Sequence, residues 1–491
     1  MKSLLSLLFG KNKTVAVAAE PALEGVPTTL QGKQDAWSIL RGQPDPLADA
    51  VSAFPAPPLP STVTPRRRPF ATVGTLRRSA AVPVAYCGPN RVADFQETDS
   101  LSDLGALPGP HRLRLNLPML SGQPAPLFKA TELPSWILDS HLERPTAPAA
   151  EVYALPGHEL GAAGLLQQHG RIFVNDMIQP GYINSAVKPD DLGLPEIWMG
   201  SLLDPNAEII EIDRPVGLAL HPNLIYGHFL LEMLPRLHQL AKLRTFGRAF
   251  PIAVPNDWSK WVRDFVSLYF DESEIIYYNS KQQRVRAPYF ILPSMMMTNY
   301  NFHPEMNAAI EDLLSHVVGP NVPSPTPPTR IYLSRRRHPG GAWHSISNEE
   351  EVEKAMTDLG FTVLYPEDLS LKEQLHIYSS AEYMVSEYSS ASHNSLFAPR
   401  GTGVFCINWI NRCQSGICAL RGQPHAFMAP TGEGFRHPAQ FNTASRYGFR
   451  MDCAEVVRQV VAFLAFCDEQ RERGIDIGAA SSTIAEAVQL V

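Results

Sequence analysis

Apolar and polar positions fall into two blocks in which short apolar runs alternate with helix-length patterns. The clearer block lies between Arg330 and Asn411. Arg330-Ile-Tyr-Leu-Ser-Arg335, Phe361-Thr-Val-Leu-Tyr-Pro366, Tyr383-Met-Val-Ser386 and Gly403-Val-Phe-Cys-Ile-Asn408 predict strands. Helical patterns run from Asn348 to Leu359, stopped by Gly360, and from Leu371 to Ala381. Strands alternating with helices of about ten residues predict βαβ units and a parallel sheet. Ser347 with Glu350, and Ser370 with Glu373, fit the capping box, in which hydroxyl and carboxylate satisfy orphan backbone N–H groups reciprocally. A ligand of such a sheet sits at the carboxyl ends of the strands, where Arg335, Glu367, Glu387 and Ser390 fall.

The second block spans about 150 to 318. Arg171-Ile-Phe-Val174, Glu208-Ile-Ile-Glu-Ile212, Gly217-Leu-Ala-Leu220, Pro251-Ile-Ala-Val254, Glu274 to Tyr278 and Arg286 to Leu292 predict strands. Asn223 to about Leu243, Trp258 to Phe270 and Glu305 to Val318 predict helices. Gly319-Pro-Asn-Val-Pro-Ser-Pro-Thr-Pro-Pro328 then ends the pattern, because proline cannot continue a helix or join a central strand and favours stiff polyproline II. The expected organisation is a largely irregular, Pro-rich extension over 1–145, an α/β domain over 146–318, a linker over 319–329 and a second α/β domain over 330–450. The last part, 451–491, holds helices, of which Ala454 to Phe466 is apolar enough to pack back across the junction. The fold class is α/β, with two Rossmann-like domains facing a cleft, the commonest place for a small-molecule site.

Composition narrows the function. A net charge of −7 gives no basic surplus to suggest nucleic acid as a partner. Many of the 44 prolines cluster before residue 70, with Arg66-Arg-Arg68 and Arg77-Arg78 following closely, as in a solvated linker. Six unevenly spaced cysteines make no disulfide framework and no Cys-x-x-Cys knuckle. No run is long and apolar enough for a membrane span. Met1 to Phe9 is apolar but stops at Gly10-Lys-Asn-Lys13, short for a signal peptide. The expected compartment is cytoplasmic, and the leucines with flanking lysines also suit peripheral contact with the inner face of an acidic membrane.

Two constellations carry chemistry. In Tyr226-Gly-His-Phe-Leu-Leu-Glu-Met-Leu-Pro-Arg-Leu237, His228, Glu232 and Arg236 recur at helical spacing among Phe, Leu and Met. Charges on a buried helix must be paired or face a cavity, and Pro235 interrupts the backbone ladder. A metal site built on His221, His228, Glu232 and His238 lacks the His-Glu-x-x-His spacing. In Ser386-Glu-Tyr-Ser-Ser-Ala-Ser-His-Asn394, small hydroxylated residues join a strand end to a short helix. Such a helix start offers N–H groups and a positive dipole end to a diphosphate, with Arg335 adding charge. His393 and Asn394 are placed to orient a nucleotide or sugar. The absence of Gly-x-Gly-x-x-Gly and of a P-loop argues against dinucleotide oxidoreduction and P-loop NTP hydrolysis.

Taken in order, Tyr226-Gly-His-Phe-Leu-Leu-Glu-x-Leu-Pro-Arg, Arg330-Ile-Tyr-Leu-Ser-Arg, Asn348-Glu349, Gly360-Phe361, Pro366-Glu-x-Leu and Glu387-Tyr-x-Ser-x-x-His-Asn-x-x-Phe397 resemble the family 61 glycosyltransferases. More narrowly they resemble the bacterial branch described as capsular polysaccharide biosynthesis proteins. The resemblance covers roughly residues 200 to 410. It implies a GT-B arrangement, a nucleotide-sugar donor held by the C-terminal domain, a glycan or lipid-linked glycan acceptor, and inversion at the anomeric carbon. The chain departs from the family's usual glycines at Ser386 and Ser389, where a serine restricts positive φ.

On that reading His228 or Glu232 is the base, one orienting the other, and Arg236 completes the catalytic stripe. Arg335 and the backbone at Ser389 to Ala391 stabilise the leaving diphosphate. Glu367, Glu387, Ser389, Ser390, His393 and Asn394 hold donor oxygens, with no cofactor and no metal required. The alternative is a transferase-fold scaffold that binds without turnover, motivated by the two serines. A metal-dependent hydrolase using His221, His228 and Glu232 is a third reading.

Overall fold

The computed structural model describes residues 96–98, 111–114, 119–120, 125–130, 146–147, 150–161, 165–168, 171–173, 206–219, 225–245, 249–298, 300–318, 326–338, 346–387, 389–407, 412–428 and 450–473. His221, Cys87, the tail from 475 and most of the linker lie outside them. The architecture is mixed α/β with parallel sheets, compatible with a Rossmann-like fold.

A six-stranded sheet carries the block that was clearest in sequence. In spatial order its strands are Thr362–Leu364, Arg330–Leu333, Tyr383–Glu387, Gly403–Ile407, His425–Met428 and Leu127–Phe128. Every neighbouring pair is parallel. After Arg330–Leu333 the chain steps to one side, through the Glu349–Asp358 helix, and then returns past it, through the Leu371–Tyr378 helix. Arg330–Leu333 and Tyr383–Glu387 therefore flank a switch point, where the loops leaving the two strands part and open a crevice.

The seven-stranded sheet repeats this logic. Its parallel part places Tyr289–Pro293 beside Val216–Gly217, then Ile252–Pro255 and Ile275–Tyr278. Glu151–Pro156 and His111–Arg114 extend it antiparallel, and Gln96–Thr98 closes that edge. The expected strand over Arg286–Leu292 is two strands, Gln283–Arg286 and Tyr289–Pro293, in different sheets. Pro288 lies between them and has no N–H for a ladder. The helix expected over Trp258–Phe270 is Lys260–Val266, followed by turns.

One apolar core runs unbroken between the two sheets. It takes Ile252 and Tyr289 from the first, Ile331, Leu333 and Met384 from the second, and Phe229, Leu237, Ile310, Leu313 and Phe397 from the helices between. The Met306–Val317 helix buries Met306, Asn307, Ala309, Ile310 and Leu313 on one face. Arg421, 2% exposed, ties that helix to the second sheet's side. Its guanidinium donates to Asn307 Oδ1 at 3.0 Å and to the Ala398 carbonyl at 2.9 Å.

Within 1–145, expected to be largely irregular, Gln96–Thr98 and His111–Arg114 enter the first sheet and Leu127–Phe128 edges the second. Two expectations are corrected. The last helix, Cys453–Glu472, does not bridge the sheets. It covers the far face of the six-stranded sheet, where Val456, Val460 and Phe463 join Tyr383 and Phe405. Of the two capping boxes, Ser370–Glu373 forms, whereas the other helix is capped at Asn348 with no side-chain cap bond. Asn348 is engaged elsewhere, exchanging bonds of 2.9 and 3.0 Å with the Met451 backbone.

Candidate active site

A cleft of about 1130 Å³ opens where the two switch points meet. From the first sheet's side, the residues following Val216–Gly217 and Tyr289–Pro293 bring Tyr226, Gly227, His228 and Tyr300 to its lining. From the second sheet, the residues following Arg330–Leu333 and Tyr383–Glu387 bring Ser334, Arg335, Ser389 and Ser390. Glu367, His393 and Asn394 also line it.

The helix carrying His228 is not uniform. It begins as an α-turn, Tyr226–His228, widens to π over Phe229–Met233, and resumes as α over Leu234–Thr245. Pro235 offers no N–H to an i→i−4 ladder, and the turn before it widens so that the Leu234 N–H reaches the Phe229 carbonyl. Within the wide turn, His228 Nδ1 lies 2.5 Å from Glu232 Oε1. The His228 side chain is 13% exposed and the Glu232 side chain 1%. The imidazole thus meets the cleft while the carboxylate orients it from behind. Arg236, fully buried, and Glu387, also fully buried, are absent from the lining. The expected three-residue stripe is therefore a pair, and Glu387 turns away because neighbouring positions on a strand face opposite sides.

Across the cleft, Arg335 sits on a braced loop. Two carboxylates from the Glu349–Asp358 helix are buried beneath it. Glu349 accepts from the Arg335 N–H at 2.9 Å, and Glu353 accepts from the Ser334 hydroxyl at 2.7 Å. Burial pushes the Glu349 carboxyl up, against these hydrogen bonds. Beside it, Arg336 pairs with Glu353 at 2.8 Å and Arg337 with Asp368. Burial first, and then the Arg335 charge, hold His338 below the usual histidine range.

The Ser390–Phe397 3₁₀ helix carries the other half of that wall. Ser389 is its N-cap, with φ −163° and ψ −179°, extended backbone open to any residue. Ser386 lies inside a regular strand. Neither serine stands where a positive φ is needed, so the restriction on φ that serine brings costs nothing at these two positions. Two of the three N–H groups expected to face a diphosphate are engaged within the turn. The Ala391 N–H donates to Ser389 Oγ at 3.1 Å and the Ser389 N–H to Ser392 Oγ at 3.4 Å. The Ser390 N–H is not among those bonds.

The two walls touch at one seam. The Tyr226 hydroxyl donates to Asn394 Oδ1 at 2.7 Å. Beside it, a Cβ on Gly227 would stand 2.5 Å from His393 Nδ1. His393 Nε2 lies 3.6 Å from Cys413 Sγ. Burial, with the nearby His228, pushes the His393 imidazole down to about 3. Burial and the Glu232 charge push the Cys413 thiol up. His393 is therefore a neutral, buried member of the seam rather than a titrating base.

The residues that sequence reasoning missed are Tyr226, Gly227, Ser334, His338, Trp261 and Tyr300. The first four adjoin residues already singled out, and adjacency was the available signal. Trp261 is the second residue of the Lys260–Val266 helix. Tyr300 has φ 63°, the left-handed region, and directly precedes Asn301–Phe302, the strand that pairs with Met297–Thr298. Among the described residues no three His, Cys, Asp or Glu side chains gather as metal ligands, and His221 lies outside them.

No curated protein matches the chain. Residues 226–405, which span the long helix, the Arg335 loop and the Ser390–Phe397 cradle, match the family model described as Glycosyltransferase 61. Over that stretch the chain is similar to the glycosyltransferase family 61.

Proposed function

We propose that the chain is an inverting, metal-independent glycosyltransferase of GT-B arrangement, acting in the biosynthesis of a surface polysaccharide. It moves a hexosyl or pentosyl unit from a nucleotide-diphosphate donor to a glycan hydroxyl, in the cytoplasm or at the inner face of the membrane. Among the described residues no helix is long and apolar enough to cross a membrane. The observation that carries the reading is His228, held from behind by the buried Glu232 carboxylate, lining the same cleft as Arg335 and Ser390.

The donor diphosphate lies against Arg335 and the Ser390 N–H, with Glu367 and Asn394 holding hydroxyl or amide groups of the nucleotide or sugar. His228 Nδ1 is bonded to Glu232, so the base nitrogen is Nε2. As the acceptor oxygen attacks the anomeric carbon, its proton passes to His228 Nε2 and the Glu232 carboxylate stabilises the imidazolium. The bond from the anomeric carbon to the phosphate oxygen breaks, and Arg335 takes up the charge of the departing diphosphate. Fixed positive charge at that position serves where other transferases use a divalent ion.

Glu232→Gln and His228→Ala are each expected to lower kcat by about 10²–10⁴ while the donor still raises the unfolding temperature. Near-normal turnover in both variants would overturn the assignment. Activity abolished by a chelator would refute metal independence. Stabilisation by a nucleoside diphosphate without transfer to any acceptor would return the scaffold reading.

A further inference from the structure

Building on the transferase reading, we propose that the Lys260–Val266 helix forms the acceptor wall, where a carbohydrate ring stacks its C–H face on Trp261 and places hydroxyls against Lys260 and Asp264. The two walls of the cleft differ in chemistry. Arg335, Ser389, Ser390 and Asn394 make the second-sheet wall cationic and hydroxylated, as a diphosphate needs. The facing wall presents Trp261, Phe265 and Leu268 with a charged rim, which suits a ring that is apolar on its faces and polar at its edge.

Trp261 is held ready for such a ligand. Its ring stands at 74° to Tyr226 with centroids 5.4 Å apart, and at 88° to Phe229 at 5.1 Å. The indole nevertheless remains half-buried at the cleft. A rigid aromatic fixed by its neighbours loses little freedom when a ligand stacks on it.

The Lys260–Asp264 pair adds an independent observation. Lys260 Nζ lies 2.7 Å from both carboxylate oxygens, and both residues line the cleft. The pair does little for the helix. A lysine in the first turn faces the positive end of the dipole, a cation preceding an anion is the poorer i,i+4 order, and exposed pairs contribute little. What the pair does provide is a donor beside an acceptor, the arrangement that neighbouring sugar hydroxyls require.

The test uses the full chain and, as probes, cellotetraose, chitotetraose and maltotetraose, with binding read by saturation-transfer NMR. Thermal shift with UDP, GDP and TDP reports the donor side separately. At least one oligosaccharide should bind the wild-type protein. Trp261→Ala should weaken it roughly three- to tenfold, the size of one aromatic contact, and Trp261→Phe less. The double variant Lys260→Gln/Asp264→Asn changes exposed side chains and should weaken the same oligosaccharide, which keeps the test open if Trp261→Ala fails to fold. Nucleoside diphosphate shifts should be equal in all of them. The proposal is overturned by wild-type sugar affinity in every variant, by no oligosaccharide binding, by binding of decyl phosphate in place of sugars, or by a nucleoside diphosphate shift that depends on Trp261. Trp261-dependent sugar binding with no nucleoside diphosphate shift in the wild type would remove the transferase reading and leave the platform.

Discussion

Single atoms decide most at the seam. A methyl group on Gly227 would fall 2.5 Å from His393 Nδ1 and 3.1 Å from Ser390 Oγ, on the side where the two walls touch. Gly227→Ala is therefore expected to lose about 1–3 kcal/mol through overpacking and to lose turnover with it, read by denaturant midpoint and by initial rate. Two buried imidazoles give an acid-sensitive term. Burial, with Lys242 nearby, pushes His238 down to about 4, and His393 lies at about 3. Below about 6.5 the unfolded chain takes up these protons while the folded chain does not, so stability is full above that pH and falls as pH drops toward 4. His238→Gln should flatten the decline between about pH 6.5 and 4, measured by urea unfolding at a series of pH values. Little of this was legible from residue types. Motif order drew attention to His228, Glu232, Arg335 and Asn394, but the sealing of Arg236 and Glu387 depends on which way each backbone turns, and a line of letters does not carry that.

Helices and strands were easier to read than single side chains, for a physical reason. The inner strands of the six-stranded sheet are largely buried on both faces, so Arg330–Leu333, Tyr383–Glu387 and Gly403–Ile407 appear as apolar runs, and four of the six strands were anticipated within a few residues. Leu127–Phe128 was invisible because two apolar residues after Pro126 carry no period; only pairing with His425–Met428 makes them a strand. The π-turn was foreseen only as a kink at Pro235, since the letters say that a donor is missing and not how the helix accommodates the loss. Pro235→Ala restores that donor. The helix should relax toward α, the unfolding temperature should hold or rise, and turnover should fall as His228 leaves its place over Glu232. Unchanged kcat would separate the wide turn from catalysis. At the far end of the chain, Asp452 caps the last helix by accepting from the Ala454 and Glu455 N–H groups. Asp452→Ala should cost about 1 kcal/mol without touching activity, because that helix covers the face away from the cleft.

Across the whole molecule, the sheets are joined by buried polar contacts as well as by apolar ones. Burial brings the Arg421 guanidinium down to about 10. It donates to Asn307 and the Ala398 carbonyl and lies 3.4 Å from the Glu311 carboxylate, while its Nε is buried without a bond among the described residues. Arg421→Ala should cost about 3 kcal/mol, the scale of a broken buried pair, and should lower the unfolding temperature more than the cap variant does. The proline-rich stretch after residue 318 marks a change of composition, but the helix before it is anchored to the far side by Asn307 and Glu311. Sequence shows where the chain crosses over; it does not show which surfaces are shared afterwards. Because the largest apolar cluster is common to both sheets, each half keeps a core on its outer face but shares the inner one. Calorimetry should record one cooperative melting event in place of two, and cutting the chain at the prolines should release fragments that clump, each with a greasy flank bared to water.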